Sequence, residues 1–538
     1  MESLALAASL SLFPLKRGGN YLAKIFMKPG NGLRPGFMVN SGPSRGSFCI
    51  LSSTTKEGFG GFGGRRQVSE GETSTSSFTW PKKQSPRICI LGGGFGGLYT
   101  ALRLESLEWP PEKKPQVLLV DQSERFVFKP MLYELLTGEV DEWEIAPRFS
   151  ELLSGTSIQF FQDRVKEVFP CDSYRNSGPT QLLSGGKVHL ESGIEVEYDW
   201  LVLALGAQTK LDLVPGASEF ALPFSTLEDA QRVEQKLRML ERGRFCKDPS
   251  LIQVAVVGCG YSGVELAATI SERLQERGRV KAINVGTTIC PSAPSGNREA
   301  ALKVLSSRNV ELFLGYYVSC IKKIDKIENS HDSEVGDVNN QREAFKKFIL
   351  ELLPAERSLQ SQSLEVDLVL WTVGSRPLLP LVGPNNSGLF PANSGGQAEI
   401  DDTLRVKGHP RIFAIGDSAG FRDSSGRRVP ATAQVAIQQA DFAGWNLWAA
   451  INERPLLPFR LQNLGEMMTL GKYDAAISPS FVDGLTLEGN LGHTARKVAY
   501  LMRLPTDQHR LKVGFSWITK SAIDSIASLQ STLANVLS

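Results

Sequence analysis

Cysteine is scarce in this chain of 538 residues: there are seven, and no two have the CxxC spacing. A disulfide-held scaffold needs a denser set, and a structural zinc site needs closely spaced pairs. The sequence therefore predicts neither a disulfide framework nor a metal centre. The seven positions are Cys49, Cys89, Cys171, Cys246, Cys259, Cys290 and Cys320.

Long apolar runs and a strong excess of one charge are also missing. A membrane-spanning helix needs about 20 predominantly apolar residues, and the sequence contains no such run. The formal net charge of +2 excludes a strong attraction of the whole chain to nucleic acid. Hydrophobic residues make up 41% and charged residues 22%, as in a globular protein of two or three domains.

The first 80 residues are poor in acids and rich in bases. Within residues 1–69, Glu2 and Glu57 are the acids against nine bases, and serine and glycine are abundant. Such a segment cannot bury enough apolar surface to fold, and its composition is typical of an organelle transit peptide. We expect residues 1–80 to be a transit peptide or a disordered tail. The predicted destination is the chloroplast, with the mitochondrion as the alternative.

A glycine-rich loop follows the first apolar run of the folded region. Residues 87–91 form that run, and the next six residues match GxGxxG before a helical pattern. In this context Gly92 permits a tight turn, and Gly94 lets the backbone approach a pyrophosphate at the helix N-terminus. Asp121 ends the next strand, where a carboxylate can bind ribose hydroxyls. Together with Gly97, these residues predict a dinucleotide site.

A second loop of the same kind lies about 165 residues further along the chain. Gly258, Gly260 and Gly263 again follow an apolar strand and open a helix. The position for the acidic residue falls at Asn284, which would not repel a 2′-phosphate, so NADPH is expected to be accepted as well as NADH. Two such units predict an α/β fold with two Rossmann-like dinucleotide-binding domains.

Two further segments indicate a family. Residues 430–440 contain AQxAxQQ, and residues 126–134 read FVFKPMLYE. With the two glycine loops, over roughly residues 86–480, they resemble the type II (alternative) NAD(P)H:quinone dehydrogenases of the two-dinucleotide-binding-domain flavoproteins. The transit-like start is similar to the plant C-type branch. The Ala-Leu-Gly turn at residues 204–206 departs mildly from the usual Ala-Thr-Gly.

The resemblance implies a non-covalent FAD that is reduced by NADPH or NADH and reoxidised by a membrane-dissolved quinone. It implies that Gly416 and Asp417, which follow a strand, contact FAD, and that Ala433 and Gln434 lie beside the flavin. Gln434 and Gln438 share one helical face and would orient the quinone, because amides can donate hydrogen bonds without burying a charge. An amphipathic helix with surface glutamines is the alternative.

Two more residues belong to the second nucleotide unit. Gly374 follows an apolar strand in the segment Trp-Thr-Val-Gly and is expected to bind the cofactor. Glu265 follows the second glycine loop, near where nicotinamide would meet flavin, so the resemblance implies a role in coupling the two sites. An equally good interpretation of Glu265 is a helix-start carboxylate that complements the helix dipole.

The C-terminal region combines bases with apolar residues. Basic residues beside an apolar helical face suggest peripheral binding to anionic lipid, and the resemblance implies a thylakoid or plastid lipid-droplet surface. A helix packed on the protein, or a homodimer contact, is the alternative. The bases are Arg496, Lys497, Arg503, Arg510, Lys512 and Lys520, and the apolar stripe is Ile523, Ile526, Leu529, Leu533 and Leu537.

The expected division of the chain follows from these motifs. Residues 325–365 are polar and charge-mixed, and the piece 329–341 within them is expected to be a long surface loop of a hairpin. The segments are 1–80 (transit or disordered), 84–210 (FAD-binding, first part), 211–380 (NAD(P)H-binding), 381–470 (FAD-binding, second part, with the quinone-site helix) and 471–538 (C-terminal interfacial region).

Other flavoproteins with the same fold are alternatives. A disulfide reductase or a sulfide:quinone oxidoreductase needs paired cysteines near the flavin, and Cys171 with Cys320 would be the pair to consider. A ferredoxin-type reductase needs a docking patch for its protein partner and does not need the AQxAxQQ segment. Outside enzymes, the alternative is a flavin-bound redox sensor with slow turnover.

Overall fold

The computed structural model describes residues 76–82, 84–170, 185–247, 250–324, 347–356, 360–383, 390–423 and 425–537, with the backbone alone for 245–247 and 524–537. Most of the predicted segment 1–80 therefore lies outside the described residues. The helices in this part of the chain are α1 (Phe95–Ser106), α2 (Tyr133–Thr137), α3 (Glu142–Ile145), α4 (Phe149–Leu152), α5 (Ala217–Phe220), α6 (Leu227–Lys247), α7 (Tyr261–Leu274), α8 (Ser295–Ser307), α9 (Ala433–Ile451), α10 (Gly489–Leu501) and α11 (Asp507–Leu537).

The strands form several sheets. They are β1 (Arg87–Leu91), β2 (Gln116–Asp121), β3 (Gln159–Gln162), β4 (Val165–Phe169), β5 (Lys187–Leu190), β6 (Glu195–Glu197), β7 (Trp200–Leu203), β8 (Ala207–Thr209), β9 (Ala221–Pro223), β10 (Ile252–Val257), β11 (Gly278–Asn284), β12 (Glu311–Leu314), β13 (Tyr316–Lys323), β14 (Phe348–Pro354), β15 (Gln362–Val366), β16 (Leu368–Trp371), β17 (Ser375–Pro377), β18 (Leu381–Val382), β19 (Ala398–Glu399), β20 (Arg405–Val406), β21 (His409–Ala414), β22 (Ala419–Gly420), β23 (Glu466–Thr469), β24 (Ala475–Ser478) and β25 (Leu487–Glu488).

The first sheet has the order β20-β21-β7-β1-β2-β3. The five strands from β21 to β3 run parallel, and the edge strand β20 pairs antiparallel. β1 and β2 are buried along nearly their whole length, because a parallel sheet is covered on both faces. The first sheet therefore uses two separate parts of the chain, and helix α9 from the later part packs on α1 from the earlier part.

The second sheet is wholly parallel, in the order β12-β11-β10-β16-β9. Its central strand β10 is followed by helix α7, just as β1 is followed by α1. Two doubly wound units in one chain confirm the predicted α/β fold. The chain enters the second unit after β8 and returns to the first through β17, which pairs with β8.

The segment 325–365 belongs to an antiparallel hairpin. Strands β14 and β15 lie within it and form an antiparallel sheet with β13. Alternating buried residues such as Leu350 and Leu352 give β14 an inward apolar face, which the polar composition of the whole segment hides. Strands β13 and β14 are therefore the two arms of the predicted hairpin, and the predicted loop 329–341 lies outside the described residues.

The C-terminal region adds a small sheet and two helices. Strands β23, β24 and β25 are antiparallel, and helices α10 and α11 follow them. No helix in the described part of the chain combines the length and apolar character needed to cross a bilayer.

Candidate functional site

The first glycine loop is a tight turn between β1 and α1. Gly92 adopts a φ of +100°, and a side chain at this position would collide with the carbonyl of Ala204. A Cβ at Gly97 would lie 1.7 Å from the carbonyl oxygen of Gly92, so glycine at residue 97 lets the helix start close to the strand. Gly94, in contrast, faces open space within 4 Å. The backbone at Gly94 is therefore accessible to a ligand at the helix N-terminus.

Asp121 closes the first loop from the end of β2. Its Oδ2 accepts a hydrogen bond of 2.5 Å from the amide of Gly93, and its Oδ1 accepts one of 2.7 Å from Ser123. Burial raises the pKa of Asp121, while the two amides and the nearby ammonium of Lys129 act in the opposite direction. The predicted position of Asp121 beside the loop is therefore observed, and the carboxylate also fixes the shape of the loop.

The second loop repeats this geometry between β10 and α7. Gly258 has a φ of +101°, a Cβ at Gly263 would lie 1.7 Å from the carbonyl of Gly258, and Gly260 faces open space. Asn284 takes the structural place of Asp121: its Oδ1 accepts from the amide of Cys259 at 3.2 Å. Its Nδ2 donates to the carbonyl of Thr288 at 2.9 Å. An uncharged amide therefore occupies this position in the second unit.

Two more turns join these loops at the carboxyl ends of the strands. Gly416 has a φ of +66°, and its amide donates to Oε1 of Gln439 at 2.7 Å. The amide of Gly206 donates to Oγ of Ser418 at 2.9 Å. Burial raises the pKa of Asp417, which Lys129 opposes. The first loop, residues 204–206 and residues 416–418 thus meet at one edge of the first sheet, where ligands of doubly wound sheets bind.

Gly374 holds the corresponding position in the second unit. It has a φ of +76°, and its carbonyl accepts from the amide of Lys210 at 3.3 Å. Thr372, two residues earlier, donates through Oγ1 to the carbonyls of Val257 and Gly258. The Trp-Thr-Val-Gly segment is therefore attached to the second glycine loop.

Each loop fits a dinucleotide. Gly94 and Gly260 both leave open space beside the first turn of a helix, and a larger side chain at either position would fill that space. Asp121 offers a carboxylate for ribose hydroxyls at the first loop, and Asn284 offers an amide at the second. These residues could hold FAD at the first loop and NAD(P)H at the second.

Gln434 and Gln438 project from α9 towards the segment 462–465. Gln434 donates to the carbonyl of Gly465 at 3.1 Å and accepts from the amide of Leu464 at 3.1 Å. Gln438 donates to the carbonyl of Gln462 at 2.8 Å and accepts from its amide at 2.9 Å. Each side-chain amide retains one N–H and one lone pair. The pair therefore holds this segment against the helix, and Ala433 opens the helix beside them.

Glu265 is buried in the interior at the start of α7. Its Oε1 accepts a hydrogen bond of 3.0 Å from the amide of Thr469, and the hydroxyl of Tyr133 also interacts with it. Burial is the main reason that the pKa of Glu265 rises to about 7; Thr469, Arg496 and Tyr133 partly oppose this shift. Because Tyr133 belongs to the segment 126–134, Glu265 connects the second glycine loop to the first unit.

Three residues of this region were missed by the sequence reasoning. Lys129 lies near both Asp121 and Asp417. Gln439 accepts a hydrogen bond from the amide of Gly416. Glu134 forms an ion pair with Arg496. Lys129 and Glu134 stand within the quoted segment 126–134, and Gln439 is the last glutamine of AQxAxQQ. The helical period of 3.6 residues places Gln439 on a different face from Gln434 and Gln438. This difference in face is the sequence signal that could have assigned Gln439 a separate role.

The last helix has two distinct faces. Val513 is fully buried and Ser516 and Lys520 bind Glu144, so this face packs on the protein. The opposite face is strongly exposed and apolar. Its members are Leu511 (76% exposed), Phe515 (76%) and Ile518 (71%), and the predicted stripe residue Ile523 (60%) lies on the flank of the helix between the two faces. The predicted stripe residues Ile526, Leu529, Leu533 and Leu537 lie outside the described side chains.

The basic set of this region was partly misassigned. Arg496 is completely buried in an ion pair with Glu134, whereas Arg503 is exposed. Lys520 pairs with Asp141 and Glu144. The prediction of a lipid-facing base was therefore wrong for Arg496, which an acid distant in sequence holds in the interior, and Lys520 is only partly exposed.

The cysteines do not form a reactive pair in the described part of the chain. Burial raises the pKa of Cys259 and Cys290 to about 12 and that of Cys89 further, so all three remain thiols. Cys320 donates through Sγ to Glu351, which raises its pKa. The remaining positions, Cys49, Cys171 and the side chain of Cys246, lie outside the described residues. The described thiols therefore offer no support for disulfide chemistry.

Comparison with known proteins identifies the family to which this architecture belongs. Residues 86–440 match the family model of pyridine nucleotide-disulphide oxidoreductases. The chain is 65% identical over 475 residues to the alternative NAD(P)H-ubiquinone oxidoreductase C1, chloroplastic/mitochondrial, of Arabidopsis thaliana, with 88% of each chain covered. It is 42% identical over 435 residues to the demethylphylloquinone reductase NdbB of Synechocystis, covering 81% of this chain and 96% of the relative.

A solved structure shares the fold. The structure of NDH2 from Plasmodium falciparum in complex with NADH aligns with a TM-score of 0.63 at 18% identity, covering 81% of this chain and 98% of that one. The resemblance inferred from the motifs is confirmed: this chain is an oxidoreductase of the pyridine nucleotide-disulphide oxidoreductase family and belongs, within it, to the alternative (type II) NAD(P)H:quinone oxidoreductases.

Proposed function

We propose that this protein oxidises NAD(P)H through a non-covalent FAD and reduces a membrane-dissolved prenylquinone. The observation that carries the proposal is the pair of matching glycine loops, whose two units meet where Tyr133 contacts Glu265. The relative in Arabidopsis is named for NAD(P)H and ubiquinone, and the one in Synechocystis for demethylphylloquinone. A naphthoquinone or plastoquinone type of acceptor fits a plastid location, with the mitochondrion as the alternative.

The first unit is proposed to bind FAD. Gly92, Gly94 and Gly97 would leave room for the pyrophosphate, and Asp121 would bind the adenosine ribose. Asp417, beside Gly416 at the same sheet edge, is assigned to the ribityl or pyrophosphate part. When bound, FAD supplies a centre that accepts hydride from a nicotinamide and passes two electrons to a quinone. We therefore propose, as the sequence predicted, that residues 84–210 and 381–470 form the FAD-binding domain.

The second unit is proposed to bind the nicotinamide coenzyme. Gly258, Gly260 and Gly263 form its cradle, and Gly374 borders it. Because Asn284 carries no charge, NADPH and NADH are both expected to bind. Glu265 would then lie in the interior between the two units, where its carboxyl can hold a proton at neutral pH.

The quinone is assigned to the N-terminal end of α9. Gln434 and Gln438 hold residues 462–465 in place, and the remaining N–H of each amide could donate to a quinone carbonyl. Ala433 leaves space at the start of this helix. The protein would thus orient the quinone by hydrogen bonds without placing a charge against it.

The exposed face of α11 is proposed to contact the membrane. Leu511, Phe515 and Ile518 recur at helical spacing, and a packed face on the opposite side keeps this surface outward. A peripheral site on a thylakoid or plastid lipid-droplet surface would give the quinone a short route from lipid. Homodimer formation through the same face is the alternative.

The test is a half-reaction experiment with the purified full chain. A visible flavin spectrum, rapid bleaching by NADPH or NADH under anaerobic conditions, and return of colour on adding a short-chain prenylquinone are expected. Reoxidation by air at the same rate with and without any quinone would contradict the proposal. Flavin bleaching by sulfide without NAD(P)H would favour a sulfide:quinone oxidoreductase.

A further inference from the structure

One face of helix α10 carries charged and aromatic side chains into the interior. Positions three and four apart on a helix share a face, and here that face meets helix α2 and the turn that follows it. The side chains are His493, Arg496, Lys497 and Tyr500 on α10, and Tyr133, Glu134 and Glu139 opposite them.

The centre of this cluster is a fully buried ion pair. Nη2 of Arg496 donates to Oε1 of Glu134, and the two side chains are 0% and 2% exposed. Within the described part of the chain, Nε and Nη1 of Arg496 and Oε2 of Glu134 have no hydrogen-bond partner. Buried donors and acceptors of this kind are usual positions for ordered internal water. These three atoms are therefore the positions of the pair at which internal water would bind.

Glu139 forms the outer end of the cluster. Its Oε1 lies 3.1 Å from Nζ of Lys497 and 3.4 Å from Nε2 of His493. Burial and the neighbouring Glu134 raise the pKa of Glu139 to about 7, which Lys497 and Arg496 oppose. Burial and the two cations lower the pKa of His493 to about 3, so its ring is neutral.

The inner end of the cluster reaches Glu265. The guanidinium of Arg496 acts electrostatically on Glu265 and lies over the ring of Tyr500, 5.2 Å from its centroid. Tyr133 contacts Glu265 from the other side. The solvent edge is at Lys497, which keeps 21% of its side chain exposed. Polar groups are thus present from the partly exposed Lys497 to the boundary between the two nucleotide units, and they act on one another electrostatically.

Stability alone does not account for this cluster. Removing two charges from water costs several kcal/mol for each ion, and apolar side chains of similar size often stabilise a protein as well or better. Helix α10 could have packed on α2 with leucine at these positions. A role in proton transfer to a buried reaction site would account for the charged residues of this cluster.

The proposed quinone reduction has such a requirement. Formation of a quinol takes up two electrons and two protons, and oxidation of NAD(P)H delivers two electrons and one proton as hydride. One further proton must come from solvent in each turnover. Resting on the proposed function, we propose that Glu139 takes up this proton from solvent, that water bound along the Arg496–Glu134 pair carries it towards Tyr133 and Glu265, and that Glu265 donates it to the quinone oxygen. Glu139 and Arg496 are positioning residues, because they act on the quinone through others.

The test compares Glu139→Gln with the wild-type full chain, loaded with flavin, on two electron acceptors. A short-chain quinone takes up protons, whereas ferricyanide takes up electrons alone. In the variant, quinone reduction at pH 6 is expected to fall roughly tenfold, because a positioned proton donor contributes at least this much while it is protonated. Ferricyanide reduction should be unchanged. In the wild type the rate of quinone reduction should decline as the pH rises through 7. In Glu139→Gln the rate should not change with pH in this range.

Two further variants separate proton transfer from folding. Glu139→Asp retains a carboxyl group and should recover part of the quinone rate. Glu488→Gln, an exposed acid just before the same helix, should match the wild type on both acceptors. The thermal midpoint of Glu139→Gln should lie above that of the wild type at pH 8 and near it at pH 5, because ionisation of Glu139 opposes folding.

Two results would overturn the inference and leave the proposed function intact. One is an equal loss with quinone and ferricyanide, which would mean a general structural defect. The other is an unchanged quinone rate in Glu139→Gln at every pH. A wild-type chain that reduces ferricyanide but no quinone would instead overturn the proposed function itself.

Discussion

Nζ of Lys520 lies 3.0 Å from each carboxylate oxygen of Glu144, a residue with no exposed surface, and so fastens the last helix to α3. Ser516 donates to the same carboxylate at 2.6 Å, and His509 donates through Nε2 to the Glu144 carbonyl at 2.8 Å. Three side chains of α11 therefore converge on one residue. The direction in which the apolar face of α11 points depends on this attachment.

Loss of the lysine should loosen the helix. In Lys520→Met the buried carboxylate keeps Ser516 but loses its counter-ion, and we expect the unfolding free energy to fall by about 2 kcal/mol, below the usual range for fully buried pairs because Lys520 is partly exposed. Limited proteolysis should cut first within α11. Lys512→Met, an exposed lysine on the same helix, is the control. Equal proteolysis of both variants would contradict the role of the ion pair.

The apolar face of α11 should determine membrane binding. Leu511, Phe515 and Ile518 each expose more than two thirds of their surface, and transfer of such a side chain from water is favourable by about 1.5–3 kcal/mol. The double change Leu511→Glu with Phe515→Glu is therefore expected to abolish sedimentation of the full chain with lipid vesicles. Solution turnover with a water-soluble quinone should remain.

The matched control for membrane binding is Leu302→Glu, which changes an exposed leucine on α8. Vesicle binding of this variant should equal that of the wild type. If the double variant still sediments with vesicles but changes from dimer to monomer in solution, the face is a homodimer contact instead.

Coenzyme choice should depend on Asn284. In Asn284→Asp, the carboxylate can still accept from the amide of Cys259, but its charge would repel a 2′-phosphate. The ratio of kcat/KM for NADPH to that for NADH is expected to fall roughly tenfold, equivalent to about 1.4 kcal/mol. Asn284→Ala disturbs the loop without adding charge and should lower both values alike. An unchanged ratio in Asn284→Asp would place the 2′-phosphate elsewhere.

The features that the sequence predicted well are local. Each glycine loop stands between an apolar strand and a helix, and its glycines are required by contacts within a few residues, such as Gly97 against Gly92. Asp121 and Asn284 follow from the spacing of the same units. Spacing along one βαβ unit is therefore enough to place these residues at the nucleotide sites.

The features that the sequence did not predict depend on distant pairs. Arg496 lies 362 residues from Glu134, and Lys520 lies 376 residues from Glu144. When the acidic partner is not known, a base in an apolar helix suggests a lipid-facing surface. For this reason Arg496 was wrongly predicted to lie at the membrane surface. A single sequence carries no signal for such pairs, because helical periodicity identifies a face and not its partner.

The pH dependence of folding should report on Glu265. Its pKa is raised from the ordinary 4.5 to about 7, so the folded chain binds this proton more tightly than the unfolded chain does. The stabilisation from the neutral carboxyl is complete below pH 4.5 and is lost as the pH rises through 7. Glu265→Gln keeps a neutral acceptor for the amide of Thr469. Its thermal midpoint should be close to that of the wild type at pH 5 and higher at pH 8, by a few degrees.

Glu276→Gln, exposed after the end of α7, should give the same difference from the wild type at both pH values. A Glu265→Gln protein that is less stable than the wild type by the same amount at pH 5 and pH 8 would show that the pKa of this carboxyl is not raised into this range by folding.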